Sequence, residues 1–199
     1  MKKEKNKEKE KKSITIFLEN VYIFSCYLIP LFLLSLIFDK QILKFIISNR
    51  IESLNLFFIY FDKINALVIL SFFFIYFLLK KEYKTIKPYI INIILVYIIS
   101  YTIKFLIQRP RPSLGFLPLI IKTGYSSVFS FPSGHAIAAF SILPFLKTKK
   151  EIITWFIIAI FIGFSRLYLG VHYMSDVIAG AFFGLLFAYS AKKLAEIIK

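Results

Sequence analysis

Cysteine occurs once in the 199 residues, at Cys26, and histidine only twice, at His135 and His172. A single cysteine excludes a disulfide framework within the chain. Cys26 lies inside the first apolar run, where it reads as a structural side chain facing lipid or a neighbouring helix. Acidic residues are scarce too, 11 against 26 Lys and Arg, for a formal net charge of +15. That excess invites a nucleic-acid reading, and its placement argues against it. Lysines crowd residues 2–12 among Glu4, Glu8 and Glu10, and the other basic clusters fall between apolar runs, where they act as topology signals. No nucleic-acid partner and no obligate protein partner is expected.

What the chain has in abundance is apolar surface: 58% of residues are hydrophobic and 19% aromatic. A soluble domain of this size does not hide that much. Several runs approach the roughly 20 residues that cross a bilayer. The expected fold is an all-α integral membrane bundle of six transmembrane helices, at about 14–38, 63–79, 86–107, 135–147, 150–168 and 174–191. The fourth is short unless the preceding loop adds a turn. Pro30, Pro88 and Pro144 are tolerable in bilayer helices whose neighbours satisfy the freed carbonyls. The first run is too long for a signal-peptide core and lacks a small-residue cleavage pattern, so it is expected to be retained. Residues 1–12 read as a basic, disordered cytoplasmic tail against anionic head groups, and 13–199 as one integral membrane domain. Within it, about 42–60 has apolar residues at helical spacing with charges interspersed, as in a helix lying in the interface.

With the N-terminus inside, seventeen of the 26 Lys and Arg residues fall on the cytoplasmic side and nine on the outer side. The positive-inside rule then places both termini in the cytoplasm of a multi-pass protein of the cell (inner) membrane. It also brings the ends of the third and fifth spans, and the starts of the fourth and sixth, to the outer face.

Those four ends carry three polar stretches: "KFLIQRPRP" at 104–112, "PSGH" at 132–135 and "SRLYLGVHYMSD" at 165–176. Ionisable groups at membrane depth are costly and default to function. Each has a plainer reading. Lys104 and Arg166 end helices and can snorkel to the interface, and Arg109 and Arg111 can be loop charges stiffened by Pro110 and Pro112. Asp176 and His172, four apart, share a helix face. They form either a simple pair or an oriented acid–imidazole couple, with the carboxylate accepting Nδ1–H and Nε2 free. Beyond Glu82 the remaining acids, Glu151 and Glu196, fall on the cytoplasmic side, leaving Asp176 alone beside the histidines. Ser133 can cap the helix that His135 begins, and Gly134 lets its backbone approach a ligand. Helix starts bind phosphate oxygens readily.

Lys104, six residues, Arg111-Pro112; then Pro132-Ser133-Gly134-His135; then Ser165-Arg166, five residues, His172, three residues, Asp176. This ordered pattern resembles the signature of the type 2 phosphatidic acid phosphatase and haloperoxidase superfamily. The motifs span 104–176, and the helix layout extends the resemblance over about 14–191. The resemblance implies that Lys104, Arg111 and Arg166 hold phosphate oxygens, helped by Ser133 and the Gly134 amide. It implies that His172 attacks phosphorus, that Asp176 orients it, and that His135 protonates the departing oxygen and then activates water. His135 is expected to become a competent acid mainly when substrate is bound, because a helix start disfavours its protonated form. No metal or cofactor is implied, and one acid with two histidines makes a poor divalent-metal site. Arg109 lies outside the signature.

The expected function is a membrane phosphatase acting on a lipid-linked phosphate monoester or pyrophosphate. Phosphatidic acid, phosphatidylglycerol phosphate, prenyl pyrophosphates and lipid A phosphates all qualify, with the bilayer and its lipid as partners. A lipid phosphotransferase using the same intermediate and a non-catalytic lipid phosphate binder or transporter are the alternatives. The loop 113–131 has apolar and aromatic residues suited to shaping a lipid entrance, or to serving as a packed connector.

Overall fold

The computed structural model describes residues 2–112 and 128–198, with side-chain environments from Cys26 onward. Among the described residues seven α-helices carry the fold. They are α1 (Lys2–Ser48), α2 (Glu52–Asp62), α3 (Ala66–Leu79), α4 (Tyr83–Ile107), α5 (Gly134–Ser141), α6 (Lys149–Tyr168) and α7 (Met174–Ile197). The expected all-α class is what the backbone adopts.

Two boundaries differ from the sequence expectation. Residues 2–12 continue α1 as helix rather than forming a disordered tail. Lysine and glutamate are good helix formers, and their alternation sets opposite charges three and four apart in sequence. At 47 residues, α1 is about 70 Å long, well beyond a bilayer's apolar thickness. The helix also runs past residue 42. It stops at Ser48, where the Ser48 hydroxyl donates to the Lys44 carbonyl (2.9 Å) and the Asn49 amide to that of Phe45 (2.8 Å). A separate helix begins only at Glu52.

Four helices are long and apolar enough to cross a membrane, among the described residues, and five if α2 and α3, bent by 62°, count as one span. The expected fourth span is shorter than 135–147. Pro144 has no N–H to continue the ladder, and α5 passes into a 3-10 turn at Leu143–Phe145. Gly134–Phe145 is thus about 18 Å long, too short to cross the bilayer by itself.

Helix α7 is the centre. In its apolar window 67% of the residues are buried within the protein, against 17% for α1 and for α4. Small residues let α5 approach it. A Cβ at Gly180 would stand 2.8 Å from the Ser133 carbonyl oxygen and 2.7 Å from the Ala136 Cβ, and one at Gly184 would stand 2.5 Å from the Ile137 oxygen. This is the small-residue contact that holds helices together where lipid removes the hydrophobic drive. Gly180→Ala is therefore expected to push the start of α5 away. The cost is about 1–3 kcal/mol of stability, read as a lower Tm in detergent, with activity falling too.

At the end away from the polar motifs, Glu151 pins α6 to α3. It accepts from the Lys80 ammonium and the Tyr76 hydroxyl, both at 2.6 Å, and closes a capping box with Thr148. At the opposite end, Gly170 takes the left-handed conformation (φ 73°) that ends α6, and Val171 N–H returns to the Arg166 carbonyl. That turn swings His172 back over the bundle.

Candidate active site

The end of α4, the start of α5, the end of α6 and the start of α7 meet at one end of the bundle, and the three polar stretches meet with them. Lys104, in the last turn of α4, donates to the carbonyls of Phe129 (3.3 Å) and Ser130 (3.4 Å). Gln108 leaves α4 in a left-handed turn, and Arg109 and Arg111 then alternate with Pro110 and Pro112. Arg111 Nη1 donates to the Val171 carbonyl (3.0 Å) and lies 3.3 Å from His172 Nε2.

Arg166 is buried at 1% exposure. Its Nε and Nη2 donate to Ser165 Oγ at 3.0 and 2.9 Å, while Nη1 lies 3.4 Å from His135 Nε2. The same Nη1 pairs with the Asp62 carboxylate at the end of α2. Each histidine thus presents Nε2 to a different guanidinium.

The start of α5 is tied to α7 by the main chain, since Ser133 N–H donates to the Asp176 carbonyl at 3.0 Å. Ser133 stands at the N-cap position, yet its side chain makes no capping bond, contrary to the expected cap. Its Oγ is buried and has no hydrogen-bond partner among the described residues. A buried hydroxyl left without a partner costs about 1–3 kcal/mol, and the start of α5 does nothing to offset it. At Gly134 a Cβ would meet no atom of the described residues within 4 Å, so none of their packing requires glycine there.

Asp176 is fully buried, and its Oδ2 accepts from Tyr173 N–H at 2.9 Å. The same oxygen lies 3.4 Å from His172 Nδ1, a pairing distance that falls short of a directed hydrogen bond. Such bonds are often long without substrate and tighten in the complex. His172 is held well below the ordinary histidine range, first by burial and then by the charge of Arg111.

All eight sequence-predicted residues gather here: Lys104, Arg111, Ser133, Gly134, His135, Arg166, His172 and Asp176. The expectation that Asp176 is the lone carboxylate is corrected. Asp62 comes in on Arg166, and Asp39 of α1 accepts from Ser175 N–H (2.9 Å) and from Arg109 Nη2 (2.8 Å). Both lie beyond the reach of local spacing, 104 and 70 residues from those arginines. One signal was available: each follows a phenylalanine and precedes a lysine, at 38–40 and 61–63, beside an apolar run. Of the expected entrance loop 113–131, residues 113–127 lie outside the described residues.

Fold and site together define a helical membrane protein with cationic side chains and two histidines gathered at one end of the bundle. Residues 85–196 match the PAP2 superfamily, and the chain belongs to it. It is 36% identical over 115 residues to phosphatidylglycerophosphatase B of Bacillus subtilis, a match covering 51% of this chain and 54% of that one. The match thus spans about half the length of that curated relative. Two solved structures share the fold. The crystal structure of Aquifex aeolicus LpxE superposes with a TM-score of 0.67 at 26% identity, covering 78% of this chain and 94% of that one. A transmembrane PAP2-type phosphatidylglycerolphosphate phosphatase from Bacillus subtilis gives a TM-score of 0.57 at 27% identity, covering 86% and 96%.

Proposed function

We propose that this protein is a lipid phosphatase that removes phosphate from a lipid-linked monoester or pyrophosphate through a phosphohistidine on His172. The observation that carries the reading is the pairing of each histidine Nε2 with a guanidinium, Arg111 at 3.3 Å and Arg166 at 3.4 Å. A phosphate held by those cations lies between a nucleophile and an acid.

In the first step the His172 Nε2 lone pair forms a bond to phosphorus as the bond to the lipid oxygen breaks. The departing oxygen takes its proton from His135. In the second, His135 takes a proton from water, the water oxygen bonds to phosphorus, the P–N bond breaks, and inorganic phosphate leaves. Lys104, Arg111 and Arg166 stabilise the charge on the phosphoryl oxygens, the main source of rate in such transfers. Ser133 Oγ and the Gly134 amide complete the cradle at the helix start. A phosphotransferase differs only in the acceptor of the second step.

The site is proposed to open at the outer membrane face, with both termini cytoplasmic and six crossings. The positive-inside count supports this orientation, and the gathering of the polar stretches at one end of the bundle fits it. Lipid tails then stay in the bilayer while the head group reaches the cations.

The test is phosphate release by the purified protein in detergent with EDTA present. The panel is phosphatidylglycerol phosphate, phosphatidic acid, a prenyl pyrophosphate and a lipid A phosphate, with His172→Ala alongside. Phosphatidylglycerol phosphate comes first because two of the similar proteins bear its name. Release from one class, abolished in the variant, is expected. Release that persists in His172→Ala refutes the phosphohistidine.

Gly134→Ala gives a sharper view of the cradle. With no atom of the described residues within 4 Å of the added methyl, Tm is expected to stay unchanged. Activity is expected to fall toward the roughly 10²-fold that a 1 Å misplacement costs. An active variant of native stability would show that the space in front of Gly134 is not where phosphate binds.

A further inference from the structure

Arg109 lies outside the sequence signature, yet it pairs with two buried carboxylates at this end of the bundle. Its Nη1 donates to Asp176 Oδ1 (2.7 Å) and Ser175 Oγ (2.6 Å), and its Nη2 to Asp39 Oδ2 (2.8 Å). Asp39 Oδ1 accepts from Ser175 N–H at 2.9 Å, and the Ser175 hydroxyl also reaches Asp39. The guanidinium lies over the Tyr173 ring, its Cζ 4.2 Å from the centroid. Behind it, the Arg109 carbonyl accepts from Ser130 N–H at 2.8 Å, which fixes the backbone. The side chain is 23% exposed, whereas Asp39 and Asp176 are 4% and 0% exposed.

We infer that Arg109, braced by Asp39, is a positioning residue that sets the direction of the Asp176 carboxylate toward His172; this rests on the phosphohistidine reading. Asp176 is gripped from both sides. Oδ1 is taken by Arg109, and Oδ2 by Tyr173 N–H on the side facing His172. With both oxygens held, the carboxylate cannot swing away from the imidazole. A planar guanidinium suits the task because it offers donors in a rigid fork, one arm to each carboxylate, which an ammonium cannot do. It also stands between two buried carboxylates and supplies the cation that both face. Asp39 belongs to α1, so the clamp links the first helix to the catalytic end of α7.

The donors of Arg109 point at Asp39, Ser175 and Asp176, and none reaches either histidine. Loss of the clamp should therefore slow the chemical step and leave substrate binding alone. The surroundings also provide a way to test this. A cavity of about 330 Å³ lies against Arg109, lined by Leu36, Ile37, Asp39, Lys40, Pro110 and Tyr173 among others. It gives a small planar cation a route past Asp39 to the space that Arg109→Ala would vacate.

The experiment uses the full-length purified protein, the panel lipid that the wild type hydrolyses, and the variants Arg109→Ala, Arg109→Lys and His172→Ala. For Arg109→Ala, kcat is expected to fall about 10²-fold. KM should stay within about threefold of wild type, the pattern of an interaction made in the transition state. Millimolar guanidinium chloride, far below denaturing levels, should restore at least a tenth of the lost kcat and do nothing for His172→Ala. If Arg109→Ala does not remain folded, Arg109→Lys carries the test, with kcat lowered and KM held. A lysine as good as arginine, a rise in KM with kcat intact, or no rescue of folded Arg109→Ala would overturn the inference. A wild type inert on every lipid would instead refute the phosphatase reading and leave the clamp without its purpose.

Discussion

His172→Ala is expected to lower phosphate release by about 10⁴-fold or more while leaving KM nearly unchanged, as for loss of a nucleophile that acts with its partners as a unit. The cations proposed to hold phosphate are anchored elsewhere. Lys104 is fixed to the carbonyls of Phe129 and Ser130, Arg111 to that of Val171, and Arg166 to Ser165 and Asp62. Removing the imidazole takes none of these contacts away. Binding should therefore survive, and covalent chemistry should not. His135 cannot substitute, because its Nε2 faces Arg166 while that of His172 faces Arg111. Initial rates together with binding of a non-hydrolysable phosphonate separate the two effects. A non-catalytic lipid phosphate binder would show the same binding and no wild-type turnover.

Asp176→Asn should cost on the order of 10⁴-fold in kcat, by analogy with the orienting aspartate of a hydrolase triad. The carboxylate Oδ2 faces His172 Nδ1 at 3.4 Å and Oδ1 accepts from Arg109. An amide supplies only one acceptor. If its oxygen stays on Arg109, its NH₂ faces Nδ1, the imidazole takes the other tautomer, and Nε2 carries the proton and cannot attack. The pH profile adds a second reading. Burial, then Arg111, hold the His172 pKa well below its ordinary value. A depressed histidine pKa means that the neutral, reactive form persists as pH falls, until pH reaches the lowered value. The acid limb of kcat/KM assigned to His172 is therefore expected well below the ordinary range near 6.5. In Asp176→Asn the limb should move lower still, since the nearby negative charge that favours the imidazolium is gone.

The membrane class and the positions of the long apolar runs were legible in the sequence because hydropathy over some 20 residues is a strong signal. Helix ends were less so. The continuation of α1 to Ser48 depends on Ser48 and Asn49 bonding back to the preceding turn, and the shortness of α5 on Pro144. The site was legible where its residues lie close in sequence. Lys104 and Arg111, Ser133 to His135, and Arg166 to Asp176 each sit in one contiguous stretch. Asp39 and Asp62 were not, because α1 and α2 deliver them from the other half of the chain. Arg109 was read as a loop charge, since its two carboxylate partners lie 70 and 67 residues away. The missing cap bond of Ser133 is likewise a fact of geometry that spacing does not carry.

The central claim is that phosphate passes through His172, and trapping the intermediate tests it most directly. The protein is mixed with lipid substrate, quenched in alkali within milliseconds, digested and analysed by mass spectrometry. A phosphoryl group is expected on the peptide containing His172, stable in alkali, lost in acid and absent from His172→Ala. Steady hydrolysis with no phosphorylated peptide under any quench, or a phosphoryl group on His135 instead, would contradict the account.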